Sequence, residues 1–294
     1  MSKAALSVWL LAARPKTLAA GITPVLLGAT LAWADGVFHA PAALAALAGS
    51  LCIQIGTNFA NDYFDFVKGT DTAERVGPTR ATQAGLVSPA AMRTAMLIVF
   101  ALTFLPGAYL VYRGGGPILL IGVVSVICGV LYTGGPYPLG YLGLGDIFVL
   151  VFFGPVAVAG TYYVQAQHVD AIPIIAGLIP GLFSTAILTV NNLRDADGDV
   201  KTGKRTLAVR LGKPFARWEY VVCLALGGVA VPLYLCWATG GHYFALAALL
   251  VLLLAIKPIK TVFQESGPAL NEVLAGTGKL LLLFTIVFCI GWLV

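Results

Sequence analysis

Asn58-Phe59-Ala60-Asn61-Asp62-Tyr63-Phe64-Asp65 is the stretch on which the reading of this chain turns. It closes a hydrophobic segment that begins near Pro41, and Lys68 and Asp71 follow at once. Residues three or four apart share a helical face, so Asn58, Asn61 or Asp62, and Asp65 lie together where a helix meets a membrane surface. A second stretch, Asn191-Asn192-Leu193-Arg194-Asp195-Ala196-Asp197-Gly198-Asp199, ends another hydrophobic segment in the same way. Asn61 and Asp65 have counterparts in Asn191 and Asp195. Two matching acidic helix ends suggest one divided metal site.

The surroundings of these stretches settle the class. The 294 residues are 59% hydrophobic and only 11% charged, far more apolar than an ordinary soluble domain. Apolar runs of about 20 residues, long enough to cross a bilayer, recur from end to end. They are continuous rather than alternating, which excludes a β-barrel. The expectation is an all-α membrane protein with nine transmembrane helices in a bundle around a central cavity, forming a single domain over 1–294. The spans fall near 17–34, 41–66, 89–112, 117–133, 143–165, 171–194, 215–238, 242–258 and 269–293, with a short interfacial helix before the first.

The net charge of +5 invites a nucleic-acid reading, but its distribution argues otherwise. Of the 18 Lys and Arg, all but Arg113 and Lys279 fall on one side of the predicted membrane. That bias places the basic side, and the N-terminus, in the cytoplasm. No soluble basic module exists to bind nucleic acid. Cys52, Cys128, Cys223, Cys236 and Cys289 lie in apolar spans without paired spacing, so neither a zinc site nor a disulfide framework is expected.

Carboxylates near membrane depth are costly and mark functional sites. Clustered acids repel unless cations sit between them. Oxygen ligands from Asp and Asn suit Mg2+, which prefers carboxylates together with phosphate and water. Two facing clusters therefore suit Mg2+ ions bridging a diphosphate. Lys68, Arg75 and Arg80 follow the first cluster, and Arg194, Lys201, Lys204 and Arg205 surround the second. The nearest of these could hold the diphosphate directly.

A diphosphate at the end of apolar helices implies a lipid tail running into the membrane. Ionising an allylic diphosphate leaves a carbocation that needs electron-rich walls and exclusion of water. Tyr63, Phe64, Phe66, Tyr132, Tyr137 and Tyr141 are close enough in sequence to supply them. The Tyr132–Tyr141 loop reads equally as a connector or a lid. His39, His168 and His242 fall on the opposite side, which argues against a histidine base.

Asn61-Asp62-Tyr63-Phe64-Asp65 and Asp195-Ala196-Asp197-Gly198-Asp199 resemble the paired motifs of the UbiA-type intramembrane prenyltransferases, after the second and sixth spans. The finer flanks are similar to the 1,4-dihydroxy-2-naphthoate polyprenyltransferase branch. They are Ala13-Arg-Pro-Lys-Thr-Leu18, the run Asn61 to Asp71, the run Arg75 to Gly85, Val190 to Asp195 and Gly203 to Gly212. Many family members carry another Asp four residues after the counterpart of Asp65. Here position 69 is Gly and the next acid is Asp71, a placement this branch shares.

The resemblance implies a Mg2+-dependent reaction in the menaquinone pathway. An all-trans polyprenyl diphosphate loses diphosphate, the ring of 1,4-dihydroxy-2-naphthoate attacks the allylic cation, and carbon dioxide leaves to give demethylmenaquinol. It assigns Asn61, Asp65, Asp195 and Asp199 to the metal, with Asp62 and Asp71 as second choices. Lys68, Arg80, Arg194, Lys204 and Arg205 would hold diphosphate, and Asn191 and Asn192 would orient ligands. Tyr132 and Tyr141 would face the substrate, and Arg14 or Lys16 would neutralise the acceptor carboxylate. No general base is assigned. The expected setting is a bacterial inner membrane with the site facing the cytoplasm. Another acceptor, 4-hydroxybenzoate or homogentisate, remains open, as does transport of an anionic lipid.

Overall fold

In the computed structural model of the chain, residues 3–71 and 76–294 are described; Arg75, expected beside the first acidic cluster, lies outside them. Every regular element among these residues is helical, because a chain in lipid must satisfy its backbone polar groups internally. Helix α1 (Lys3–Ala13) precedes α2 (Leu18–Ala34) and α3 (Ala40–Val67). Then come α4 (Pro89–Leu102), α5 (Phe104–Leu131), α6 (Gly145–Phe152), α7 (Pro155–Ala166) and α8 (Ala171–Ala176). Helix α9 (Leu178–Lys201) and the short α10 (Leu207–Arg210) lead to α11 (Lys213–Ala225) and α12 (Val231–Thr239). A 3-10 segment (Tyr243–Ala255) continues into α13 (Ile256–Gln264), and α14 (Leu270–Leu293) closes the chain.

The helix starts follow capping chemistry. His39 Nδ1 accepts the Ala42 N–H at 3.3 Å ahead of α3, and Ser88 Oγ accepts the Ala91 N–H at 3.2 Å ahead of α4. Pro41 and Pro89 stand in the first turn of those helices, where a missing N–H costs nothing.

Eight helical stretches among the described residues are long and apolar enough to cross a membrane. The expected count was nine, and the difference lies in one stretch, Pro89–Leu131, of 43 residues. The sequence pattern divides it into 89–112 and 117–133. At 1.5 Å per residue a straight helix of that length would be about twice as long as the hydrocarbon layer is thick. It is not straight: Gly115 sits at φ 63° and ψ −148°, which interrupts the helix. Both α4 and α5 pack on α3.

The main apolar core joins α2, α7, α9, α11 and α14 through Leu27, Tyr162, Phe183, Tyr220, Phe284 and Phe288. A smaller cluster under α1, α3 and α4 contains Phe59, Met92, Met96 and Phe100. Without a hydrophobic drive inside lipid, helices associate by close approach at small residues. Gly28 on α2 is such a place: a Cβ there would lie 2.6 Å from the Val158 carbonyl and 2.9 Å from Thr161 Cβ on α7. The packed helices surround a cavity of about 1210 Å³.

Candidate active site

Helices α3 and α9 deliver both acidic ends to this one cavity. Asn58, Asn61 and Asp65 come from α3, and Asn191, Asn192, Asp195 and Asp199 from α9. Their spacings of three and four keep them on one face of each helix. The polar end is completed by Arg14, Thr17, Arg80, Tyr132, Tyr141, Lys204 and Thr206. The rest of the wall is mostly apolar and includes Phe100, Ile118, Phe148 and Phe152.

Asp65 is the hub of the first side. Its buried Oδ1 accepts the Tyr141 hydroxyl at 2.6 Å, and Oδ2 accepts Arg80 Nη2 at 3.0 Å. Lys204 Nζ lies 3.7 Å from Oδ1. Arg80 also reaches Asp71, Nε to Oδ2 at 3.1 Å, so one guanidinium spans two carboxylates. Lys68 Nζ donates to the carbonyls of Thr133 (2.7 Å) and Gly135 (2.9 Å). Two ammonium groups lie over the Tyr141 ring, Lys204 Nζ 4.7 Å and Lys68 Nζ 5.1 Å from its centre. The Arg205 N–H donates to the Tyr141 carbonyl at 2.8 Å. Three interhelical connections thus meet at Tyr141.

Burial, and then the charge and hydrogen bond of Asp65, push the Tyr141 phenol well above its ordinary pKa. It therefore stays a donor to the carboxylate. Partial desolvation lowers the Lys68 ammonium; Asp65 opposes that shift and Lys204 adds to it.

On the α9 side the Arg194 guanidinium forks onto Asp195, Nε to Oδ1 at 2.8 Å and Nη2 to Oδ2 at 2.6 Å. It also donates to Asn191 Oδ1 at 2.8 Å and to Asn271 Oδ1 at 2.9 Å on α14. Asn271 in turn donates to the Val76 carbonyl at 3.2 Å. Arg194 thereby ties the second acidic cluster to the connection that carries Arg80.

A match to the UbiA prenyltransferase family covers residues 22–276. The chain belongs to that family. It is 39% identical to the 1,4-dihydroxy-2-naphthoate octaprenyltransferase of Escherichia coli (strain K12), over 96% of this chain and 94% of that protein. The protein of the same name from Mycobacterium tuberculosis is 38% identical, over 96% of each. Among solved structures, a UbiA homolog from Archaeoglobus fulgidus bound to GPP and Mg2+ superposes with a TM-score of 0.67 over 97% of this chain and 99% of that one. At 15% identity, that likeness establishes a shared fold.

Within this family fold the expected residues separate into groups. Arg14 lines the cavity but Lys16 is exposed and does not. Arg14 sits in the left-handed region at φ 53°, ψ 70°. Thr17 Oγ1 donates to its carbonyl at 3.0 Å, and Asn58 Nδ2 holds the neighbouring Ala13 carbonyl at 2.9 Å. Arg205 is exposed and meets its neighbours through its backbone, while the Arg194 guanidinium is turned onto Asp195. Neither Arg205, Arg194 nor Lys68 lines the cavity. Of the six expected aromatics only Tyr132 and Tyr141 do so. Tyr63 and Phe64 pack into the smaller apolar cluster, and Phe66 and Tyr137 are exposed.

Sequence reasoning passed over Asn271, whose link to Arg194 joins residues far apart in the chain. It also passed over Asp146 on α6. That carboxyl is buried with no hydrogen-bond partner from another described residue, and it acts electrostatically on Tyr132, as do Asp65 and Asp199. A single Asp at the start of an apolar span gave no pattern to flag it.

Among the described residues, no three His, Cys, Asp or Glu side chains are close enough together to enclose a metal. The carboxylates of Asp65 and Asp195 are instead balanced by Arg80, Lys204 and Arg194. The donor set still fits a hard divalent ion: Asp and Asn residues from both helices line one cavity, and a carboxylate oxygen carries more than one lone pair.

Proposed function

We propose that this chain transfers an all-trans polyprenyl group from polyprenyl diphosphate to 1,4-dihydroxy-2-naphthoate, releasing diphosphate and carbon dioxide and giving demethylmenaquinol. The observation that carries the reading is the single cavity with both acidic helix ends at its polar end and an apolar wall beyond. Such a cavity takes a charged head and a long hydrocarbon tail at once. The acceptor is inferred from relatives named for that reaction at 39% and 38% identity over nearly the whole chain.

Asn61, Asp65, Asp195 and Asp199, with Asp71 nearby, are the residues proposed to hold Mg2+. When bound, Mg2+ supplies charge neutralisation for the departing diphosphate. Arg80 and Lys204, the cations on the cavity wall, bind the diphosphate oxygens. Arg14 takes the acceptor carboxylate. Tyr132 and Tyr141 offer aromatic rings to the allylic cation, and the apolar wall keeps water from it. The allylic C–O bond breaks, a ring carbon forms the new C–C bond, and carbon dioxide departs in place of a proton. That last feature removes the need for a strong base.

We further propose that the chain works as one domain with nine crossings, Pro89–Leu131 passing twice through a turn at Gly115. The N-terminus and the acidic ends then face the cytoplasm of a bacterial inner membrane, in keeping with the distribution of Lys and Arg.

The test is prenyl transfer by purified protein in lipid nanodiscs, with Mg2+, labelled polyprenyl diphosphate and a panel of aromatic acids, beside Asp65→Asn and Asp195→Asn. The expected result is transfer to dihydroxynaphthoate with release of carbon dioxide, abolished by chelation and by either substitution in folded protein. Preference for another acid would overturn the acceptor assignment. Absence of transfer to every acceptor would overturn the activity.

A further inference from the structure

The first acidic motif contains two carboxylates one helical turn apart, and they do different things. Asp65 lines the cavity; Asp62 does not. Asp62 is 1% exposed, and each of its oxygens is engaged by the backbone of one distant turn. Oδ2 accepts the Ala81 N–H at 3.0 Å and Oδ1 accepts the Thr82 N–H at 2.9 Å. Ala81 and Thr82 are themselves buried, and the residue before them is Arg80, which bridges Asp65 and Asp71. Two consecutive amides on one carboxylate fix the register of this turn against α3. A shift of one residue would carry the guanidinium away from Asp65.

We propose that Asp62 is a positioning residue rather than a metal ligand: it anchors the Arg80–Thr82 turn and so sets Arg80 for the diphosphate. The inference rests on the reading of Arg80 as a diphosphate-binding residue.

The experiment uses the full chain in nanodiscs, with Asp62→Asn, Arg80→Gln and the double variant. An Asn at 62 keeps one acceptor but turns an NH2 group toward the other amide. The expected result is a KM for polyprenyl diphosphate raised about tenfold, the share one charge-assisted hydrogen bond carries. The Mg2+ concentration for half-activation should stay within about twofold, as a metal ligand would not permit. In the Arg80→Gln background the further effect of Asp62→Asn should nearly vanish, because both act through one side chain. Amide exchange over 76–87 should rise in Asp62→Asn.

Should Asp62→Asn fail to fold, Thr82→Pro removes one donated N–H and leaves the carboxylate in place; the same KM shift is expected. A tenfold rise in the Mg2+ requirement with KM for diphosphate unchanged would overturn the proposal, as would effects that multiply in the double variant. If wild type transfers nothing, the activity reading fails. Faster exchange over 76–87 in Asp62→Asn would then still support the anchor, and unchanged exchange would overturn it.

Discussion

Replacing Tyr141 with Phe removes one hydroxyl from the centre of the site and little else. The ring remains for Lys204 at 4.7 Å and Lys68 at 5.1 Å. What is lost is the 2.6 Å donation to Asp65 Oδ1, an O–H on a carboxylate, together with the 2.8 Å contact with Thr70 Oγ1. A hydrogen bond to a charged group is worth about 1.5–3 kcal/mol. At about 1.36 kcal/mol per factor of ten, the loss corresponds to about ten- to hundredfold. Thr70 Oγ1 already lies 3.4 Å from the same oxygen and can replace part of the donation, so the expected fall in kcat/KM is near the lower end. The loss should grow as Mg2+ is made limiting, because Asp65, proposed above to hold Mg2+, loses one of the contacts that fix its orientation. The assay is initial rate in nanodiscs at saturating acceptor, with polyprenyl diphosphate and Mg2+ varied in turn. Tyr141→Leu, which also discards the ring under two ammonium groups, should be about twofold to tenfold worse again. A Tyr141→Phe enzyme within twofold of wild type at every Mg2+ concentration would refute the role given to the hydroxyl. Equal activity of the Phe and Leu variants would refute that of the ring.

Three further outcomes follow from separate contacts. Arg194→Lys keeps the charge but cannot reproduce the fork on Asp195 or reach Asn191 and Asn271 together, so activity should fall about 10–100-fold, seen in kcat/KM beside a melting curve. Gly28→Val should cost about 1–3 kcal/mol by pushing α2 from α7, read as a lower melting temperature, with KM unchanged in the protein that folds. Asp146→Asn replaces a buried carboxyl lacking hydrogen-bond partners from other described residues, so thermal unfolding should show stability equal to or above wild type. A clear loss would point to an ionic partner for that group.

The division between chain and fold can be followed residue by residue. That this is a helical membrane protein was legible at once, because bilayer thickness and the helical repeat act on short stretches of chain. So was the pairing of the two acidic helix ends: each lies within a single helix, where spacing of three and four dictates the shared face. Arg14, Arg80, Lys204, Tyr132 and Tyr141 were named from the chain and do line the cavity.

Neighbours in sequence were harder to separate. Asp62 and Asp65, or Arg14 and Lys16, are equivalent by composition and differ only in direction. On a helix, three residues on is nearly a full turn but still leaves about 60° between side chains, enough to put one carboxylate in the cavity and the other under a loop. The sequence assigns Arg194 to the diphosphate, and only the fold shows its guanidinium held by Asp195, Asn191 and Asn271. The break inside Pro89–Leu131 was legible, because Arg113 and the Gly114–Pro117 run divide that stretch into 89–112 and 117–133, and the structure places its interruption between them at Gly115. Periodicity and solvent transfer are local and are written in the chain. Which polar group meets which is settled by contacts between residues far apart in sequence, and those exist only once the helices have packed.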